Sequence, residues 1–194
     1  MVADVVFCGA LYGPNKRWRD VILPAVEVAE TARVYGFAHE DGSDGALAGA
    51  GATFGGWLPM EDVPAAYASA RVAVGVTKKR QQALGMVNNR TFEVLAAGTP
   101  LVIDWFEGLE ECGVARYLWP VRSPDETRET VRAILTDAAT QKEARRRSKN
   151  GKAWVKRHAT YAHIARAIER VLEARGEKPV EKAAEVGDVA LAAS

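Results

Sequence analysis

Apolar and polar positions run along this chain in blocks: short apolar runs, each followed by a longer stretch with helical spacing. Residues 4–8, Asp-Val-Val-Phe-Cys, are apolar on consecutive positions and stop at Gly9. That is the pattern of a strand buried on both faces. Residues 9–15 predict a loop, and residues 17–30 a helix that Pro24 should kink. Residues 32–37 predict a second strand. The Gly, Ala, Ser and Asp of residues 41–51 predict a loop or one weak helical turn. Further strands are expected at 52–54, 71–76, 100–104 and 116–121, with helices of small or mixed residues at 60–70 and 88–97. From Ser123 the pattern turns helical: a Ser cap, Pro124 in the first turn, then Asp125 and Glu126. Thr160 is placed to cap a last helix running to about residue 175.

Strand–helix alternation of this kind predicts an α/β fold: a single Rossmann-like domain over residues 1–175, with a parallel sheet of about six strands and helices on both faces. Residues 176–194 mix Ala, Glu, Lys and Gly without an apolar face and are expected to form a mobile C-terminal tail. Right-handed crossovers put the ligand cleft at the C-terminal ends of the strands.

Composition narrows the chemistry. The 194 residues carry a net charge of +1, so whole-molecule attraction to nucleic acid is not indicated. Cys8 and Cys112 lie far apart, and His39, His158 and His163 are scattered, so no metal site is expected. No apolar run approaches a membrane span, and no signal peptide is apparent; a cytoplasmic location with two free thiols is the expectation. Gly9 and Gly13 do not make the Gly-x-Gly-x-x-Gly of a dinucleotide enzyme.

The segment from Asn88 to Val102 carries the most chemistry. Asn88 or Asn89 can cap a helix whose first turn offers free N–H groups and a positive dipole end, suited to a diphosphate. Arg90, Glu93 and Ala97 fall at spacings of three and four and share one face, while Phe92, Leu95 and Ala96 are expected against the sheet. A carboxylate at Glu93 can accept both hydroxyls of a ribose. Spacing alone equally allows Arg90 and Glu93 to form an exposed ion pair of little worth. Two basic clusters follow predicted strands: Lys16-Arg17-Trp18-Arg19 and Lys78-Lys79-Arg80. Each could meet an anion at the cleft or be a solvated loop. Residues 77–87 are polar and long enough to gate the cleft. Arg145-Arg146-Arg147 reads as a solvated helix face.

Arg90-Thr91-Phe92-Glu93, with Ala96-Ala97-Gly98 behind it, resembles the signature of the GT-B glycosyltransferases in their group-one transferase C-terminal domain, and most closely the CgeB-like branch. Val6 to Tyr12 with Asn15-Lys16-Arg17 is similar to that branch's first strand and basic loop. Val34-Tyr35-Gly36, Phe54-Gly55-Gly56-Trp57-Leu58-Pro59, Val63-Pro64-Ala65-Ala66-Tyr67 and His158-Ala159-Thr160-Tyr161 match in order, so the resemblance covers roughly residues 3–175. The broader group carries two glutamates with seven residues between them. The second matches Glu93, but the first falls on Gly85, which removes an acidic group usually placed near the donor sugar.

The resemblance implies the donor-binding half of an enzyme that transfers a sugar from a nucleoside-diphosphate sugar. Gly9, Tyr12, Asn15, Lys16, Arg17, Asn89, Arg90 and Glu93 would hold the donor. No metal and no cofactor beyond the nucleotide sugar is implied. The catalytic base is expected in an acceptor domain, on another chain or a second copy. The alternative is a non-catalytic nucleotide-binding module acting through a partner chain. Tyr12, Trp57 and Trp105 are expected near the cleft edge, facing ligand or partner.

Overall fold

The computed structural model describes residues 3–10, 16–36 and 43–176. Six strands are present: β1 (Ala3–Cys8), β2 (Ala32–Tyr35), β3 (Ala52–Phe54), β4 (Ala70–Gly75), β5 (Leu101–Asp104) and β6 (Trp119–Val121). All pair in parallel, in the order β3-β2-β1-β4-β5-β6. The strand order reverses beside β1, with β2 on one side and β4 on the other, and a crevice opens there at the strands' C-terminal ends. Every residue of β1 and of β5 is buried, as expected of central strands covered on both faces.

One face of the sheet carries α1 (Ile22–Glu27), α2 (Ser43–Gly49) and α7 (Pro124–Thr136), packed on Val5, Phe7, Val34, Val72, Val74 and Val102. On the other face, α3 (Val63–Ala68) and α5 (Asn89–Ala97) pack on each other and on β1, β4 and β5. Ser123 caps α7 by accepting from the Glu126 N–H at 3.1 Å, as its sequence predicts.

Several expectations are corrected. The weak turn near residue 45 is a full helix, α2, anchored by the fully buried Leu47. The helix expected over 17–30 divides into a 3-10 turn, Lys16–Arg19, that buries Trp18, followed by α1. Pro24 is the third residue of α1, in the first turn, where a missing N–H leaves no bond unmade. The sixth strand is shorter than predicted, because Ala115–Tyr117 forms a 3-10 turn. Residues 77–87 contain a short helix, α4 (Lys79–Ala83), and α6 (Glu107–Glu111) follows β5. On α5 the sheet face is Thr91, Val94 and Leu95; Ala96 is exposed.

The long helix α8 (Ala138–His158) is not merely solvated at its arginines. Arg146 pairs with Glu143, while Arg147 donates to the Leu118 carbonyl at 2.9 Å and lies 4.3 Å from the centre of the Trp119 ring. The chain divides into two compact units, Met1–Arg157 and His158–Ser194. The described part of the second is α9 (Tyr161–Ala174), with the Thr160 hydroxyl 2.7 Å from His163 Nδ1 at its start. The predicted tail lies outside the described residues from 177 onward.

Candidate functional site

At the strand-order reversal a cleft of about 550 Å³ opens, a size that suits a nucleotide-scale ligand. Its walls include four loops at the strands' C-terminal ends. Gly9 and Ala10 follow β1, Tyr35 and Gly36 end β2, Trp57 and Leu58 follow β3, and Val76 and Lys78 follow β4. The start of α5 closes the floor with Asn88, Asn89, Arg90 and Glu93.

The loops are fastened to one another by backbone bonds that extend the sheet. Gly9 N–H donates to the Tyr35 carbonyl, and Gly36 N–H to the Gly56 carbonyl, both at 2.9 Å. The approach is so close that a Cβ on Gly36 would stand 1.9 Å from the Gly9 oxygen, and Gly36 has φ 145°. No residue with a side chain fits there.

The N-terminus of α5 is built as the sequence suggests, with Asn88 as the cap. Its Oδ1 accepts from the Thr91 N–H at 3.2 Å, and its Nδ2 donates to the Thr77 hydroxyl at 3.3 Å. The start of this nine-residue helix, Asn88 to Arg90, lines the cleft, and its first turn carries the positive end of the helix dipole. Gly98, at φ 84°, ends the helix in the left-handed conformation.

Arg90 and Glu93 both line the cleft, but the exposed ion pair that spacing allowed does not form. Arg90 is committed elsewhere. Its Nε donates to the Cys8 carbonyl at 2.9 Å, its Nη1 lies 3.4 Å from the Val76 carbonyl, and its guanidinium sits 4.9 Å from the centre of the Phe7 ring. It thus ties the ends of β1 and β4 to α5. Below it, Tyr67 is buried and its phenol is held protonated by that burial, while burial pushes the Cys8 thiol up to about 11. Neither is a nucleophile at neutral pH.

Of the remaining residues singled out in the sequence, Gly9 and Asn89 line the cleft. Tyr12 and Asn15 lie outside the described residues, as does the side chain of Lys16. Arg17 does not line the cleft; its Nε donates at 2.9 Å to the carboxylate of Asp104. From the second basic cluster Lys78 lines the cleft, and the exposed Lys79 and Arg80 do not. Trp57 stands at the rim, 62% exposed, beside Met60 and Met86. Trp105 is half-buried with the Arg122 guanidinium 4.4 Å from its ring centre.

Sequence reasoning missed Asp104. It is 1% exposed at the end of β5, and three groups donate to it: the Thr77 N–H, Arg17 Nε and Gln82 Nε2. Burial raises its carboxyl to about 6 despite Arg17. The available signal was an acidic residue closing an otherwise apolar strand. Gly85, where the two-glutamate pattern would place its first acid, has φ 64°, and a Cβ there would stand 3.3 Å from Glu111 Oε2. Among the described residues no cluster of His, Cys, Asp and Glu could hold a metal ion.

Residues 9–170 match the model of the family described as glycosyl transferase-like. The chain belongs to that family. No curated protein matches it. Among solved structures, the fold is similar to sucrose-phosphate synthase from Thermosynechococcus elongatus, at a TM-score of 0.69 and 17% identity over 90% of this chain and 46% of that one. It is similar also to Anabaena HepE in complex with UDP-glucose (TM-score 0.68, 16% identity, 89% and 49% covered). AviGT4, a glycosyltransferase involved in avilamycin A biosynthesis, gives a TM-score of 0.59 at 19% identity, over 89% and 50%. The single α/β domain with its six-stranded parallel sheet is thus the C-terminal half of the GT-B fold, and the chain spans about half the length of these proteins. No helix among the described residues is long and apolar enough to cross a membrane.

Proposed function

We propose that the cleft binds a nucleoside-diphosphate sugar and that the chain is the donor-binding half of a glycosyltransferase. One observation carries the reading: the capped N-terminus of α5 opens into the cleft with the Glu93 carboxylate one turn further in. A helix N-terminus suits a diphosphate, and a carboxylate suits ribose hydroxyls. Asn89 and the helix dipole stabilise the leaving diphosphate without a metal, and Lys78 adds positive charge at the same wall. Arg90 acts chiefly by shaping the floor. The Arg90-Thr91-Phe92-Glu93 segment supports a place beside the CgeB-like branch. The likeness to HepE, solved with UDP-glucose, makes a UDP-sugar the first donor to try.

The acceptor and the catalytic base belong to a second domain, and the exposed rim of Trp57, Met60 and Met86 suits an interface with it. A thermal-shift screen against UDP, GDP, ADP, TDP and their sugars tests the reading. One nucleotide family should raise the melting temperature, the shift growing with the logarithm of its concentration. A flat response to all of them sinks it.

A further inference from the structure

We propose that Asp104, buried behind the cleft and touching no part of it, positions the phosphate end of the site through Thr77 and Asn88. This rests on the reading of the cleft as a nucleoside-diphosphate site.

The connection is continuous. The Asp104 carboxylate accepts the Thr77 N–H at 3.0 Å through Oδ1. Thr77 is itself 1% exposed, and its hydroxyl accepts from Asn88 Nδ2 at 3.3 Å. Asn88 then caps α5, whose first turn faces the cleft. Two further bonds fix the carboxylate. Arg17, from the segment after β1, donates at 2.9 Å, and Gln82, from α4, at 2.5 Å. One buried group therefore gathers the segment after β1, the turn after β4 and α4. Lys78 and Gln81, the immediate neighbours of Thr77 and Gln82, line the cleft. What Asp104 holds is the back of the wall whose front meets the ligand.

The energetics favour placement over stability as its role. Burial holds the Asp104 carboxyl near 6 in spite of Arg17 and the Thr77 N–H, so the ionised form is disfavoured on folding. A residue that only braced the fold would do so better as a neutral side chain of the same shape.

The network reaches the cap of α5 but not Glu93 or the Tyr35–Trp57 wall, which predicts a selective effect. Binding of UDP and of uridine is measured on the full chain, unsubstituted and as Asp104→Asn and Thr77→Val. Asparagine keeps an acceptor for Thr77 but turns an amide donor toward Arg17 and Gln82. Valine replaces the Thr77 hydroxyl with a methyl of similar size and leaves the carboxylate in place, so it decides the matter if Asp104→Asn does not fold. UDP affinity should fall about tenfold in each variant while uridine affinity stays within about twofold. Equal UDP binding by all three chains overturns the positioning role and leaves the cleft reading intact. A parallel loss for UDP and uridine reveals general loosening and also overturns it. No UDP binding by the unsubstituted chain removes the cleft reading and this inference with it.

Discussion

Arg90 Nε donates to the Cys8 carbonyl at 2.9 Å, across 82 positions of sequence. The bond joins the end of the first strand to the first turn of α5, and with the Val76 contact it fixes the floor of the cleft. Arg90→Gln is too short to reach both carbonyls and leaves part-buried acceptors without a charged donor. The unfolding free energy, read from urea titration, should drop by about 1–3 kcal/mol. A change below about 0.5 kcal/mol means the clasp contributes nothing.

Glu93 has no such structural partner among the described residues and lines the cleft directly. Glu93→Gln should lower UDP affinity about tenfold while the melting temperature moves by no more than about 3 °C. The difference between the two chains should vanish when UDP is replaced by an analogue without ribose hydroxyls. Its persistence would show that Glu93 does not read the ribose.

Asp104 sets a pH dependence whose sign follows from burial. Its carboxyl lies at about 6 in the folded chain against 3.8 ordinarily, so the folded state binds its proton more tightly. Through this group, stability is full below the ordinary value and is lost as the pH rises to about 6. Relative to Asp104→Asn, the unsubstituted chain should gain on the order of 2 kcal/mol between pH 7.5 and 4.5 in denaturant titrations. A pH-independent difference would place the ionisation of Asp104 outside this range.

Metal removal should leave ligand binding unchanged. The described residues bring no metal-holding cluster together, and in the proposed reading the N-terminus of α5 meets the diphosphate directly. UDP titrations with and without EDTA should superimpose; strict dependence on Mn²⁺ or Mg²⁺ contradicts the proposed site.

Sugar transfer should need a second domain. The rim residues Trp57 and Met60, 62% and 71% exposed, lie beside the cleft. The purified monomer, given a UDP-sugar and candidate acceptors, should yield no product by mass spectrometry. Robust transfer would mean that one domain supplies both sites.

The sequence by itself determined the strand–helix alternation and the position of the central strands. Consecutive apolar residues such as Val5-Val6-Phe7 leave no face for water. It also narrowed the cap of α5 to Asn88 or Asn89 and put Glu93 one turn behind it, because caps and helical spacing are local in the chain.

Local pattern could not decide what each side chain faces. Arg17 and Arg90 both read as phosphate ligands. Arg17 is drawn to Asp104, 87 positions away, and Arg90 to carbonyls at the ends of two strands. The helix α2 was hidden because Gly and Ser disfavour helix, and only the burial of Leu47 in the core makes it form. Asp104 read as the polar end of a strand. Only the folded chain brings Arg17, Thr77 and Gln82 around it, because partners for a buried charge come from wherever the crossovers return the chain, and that distance is not written in the neighbouring residues.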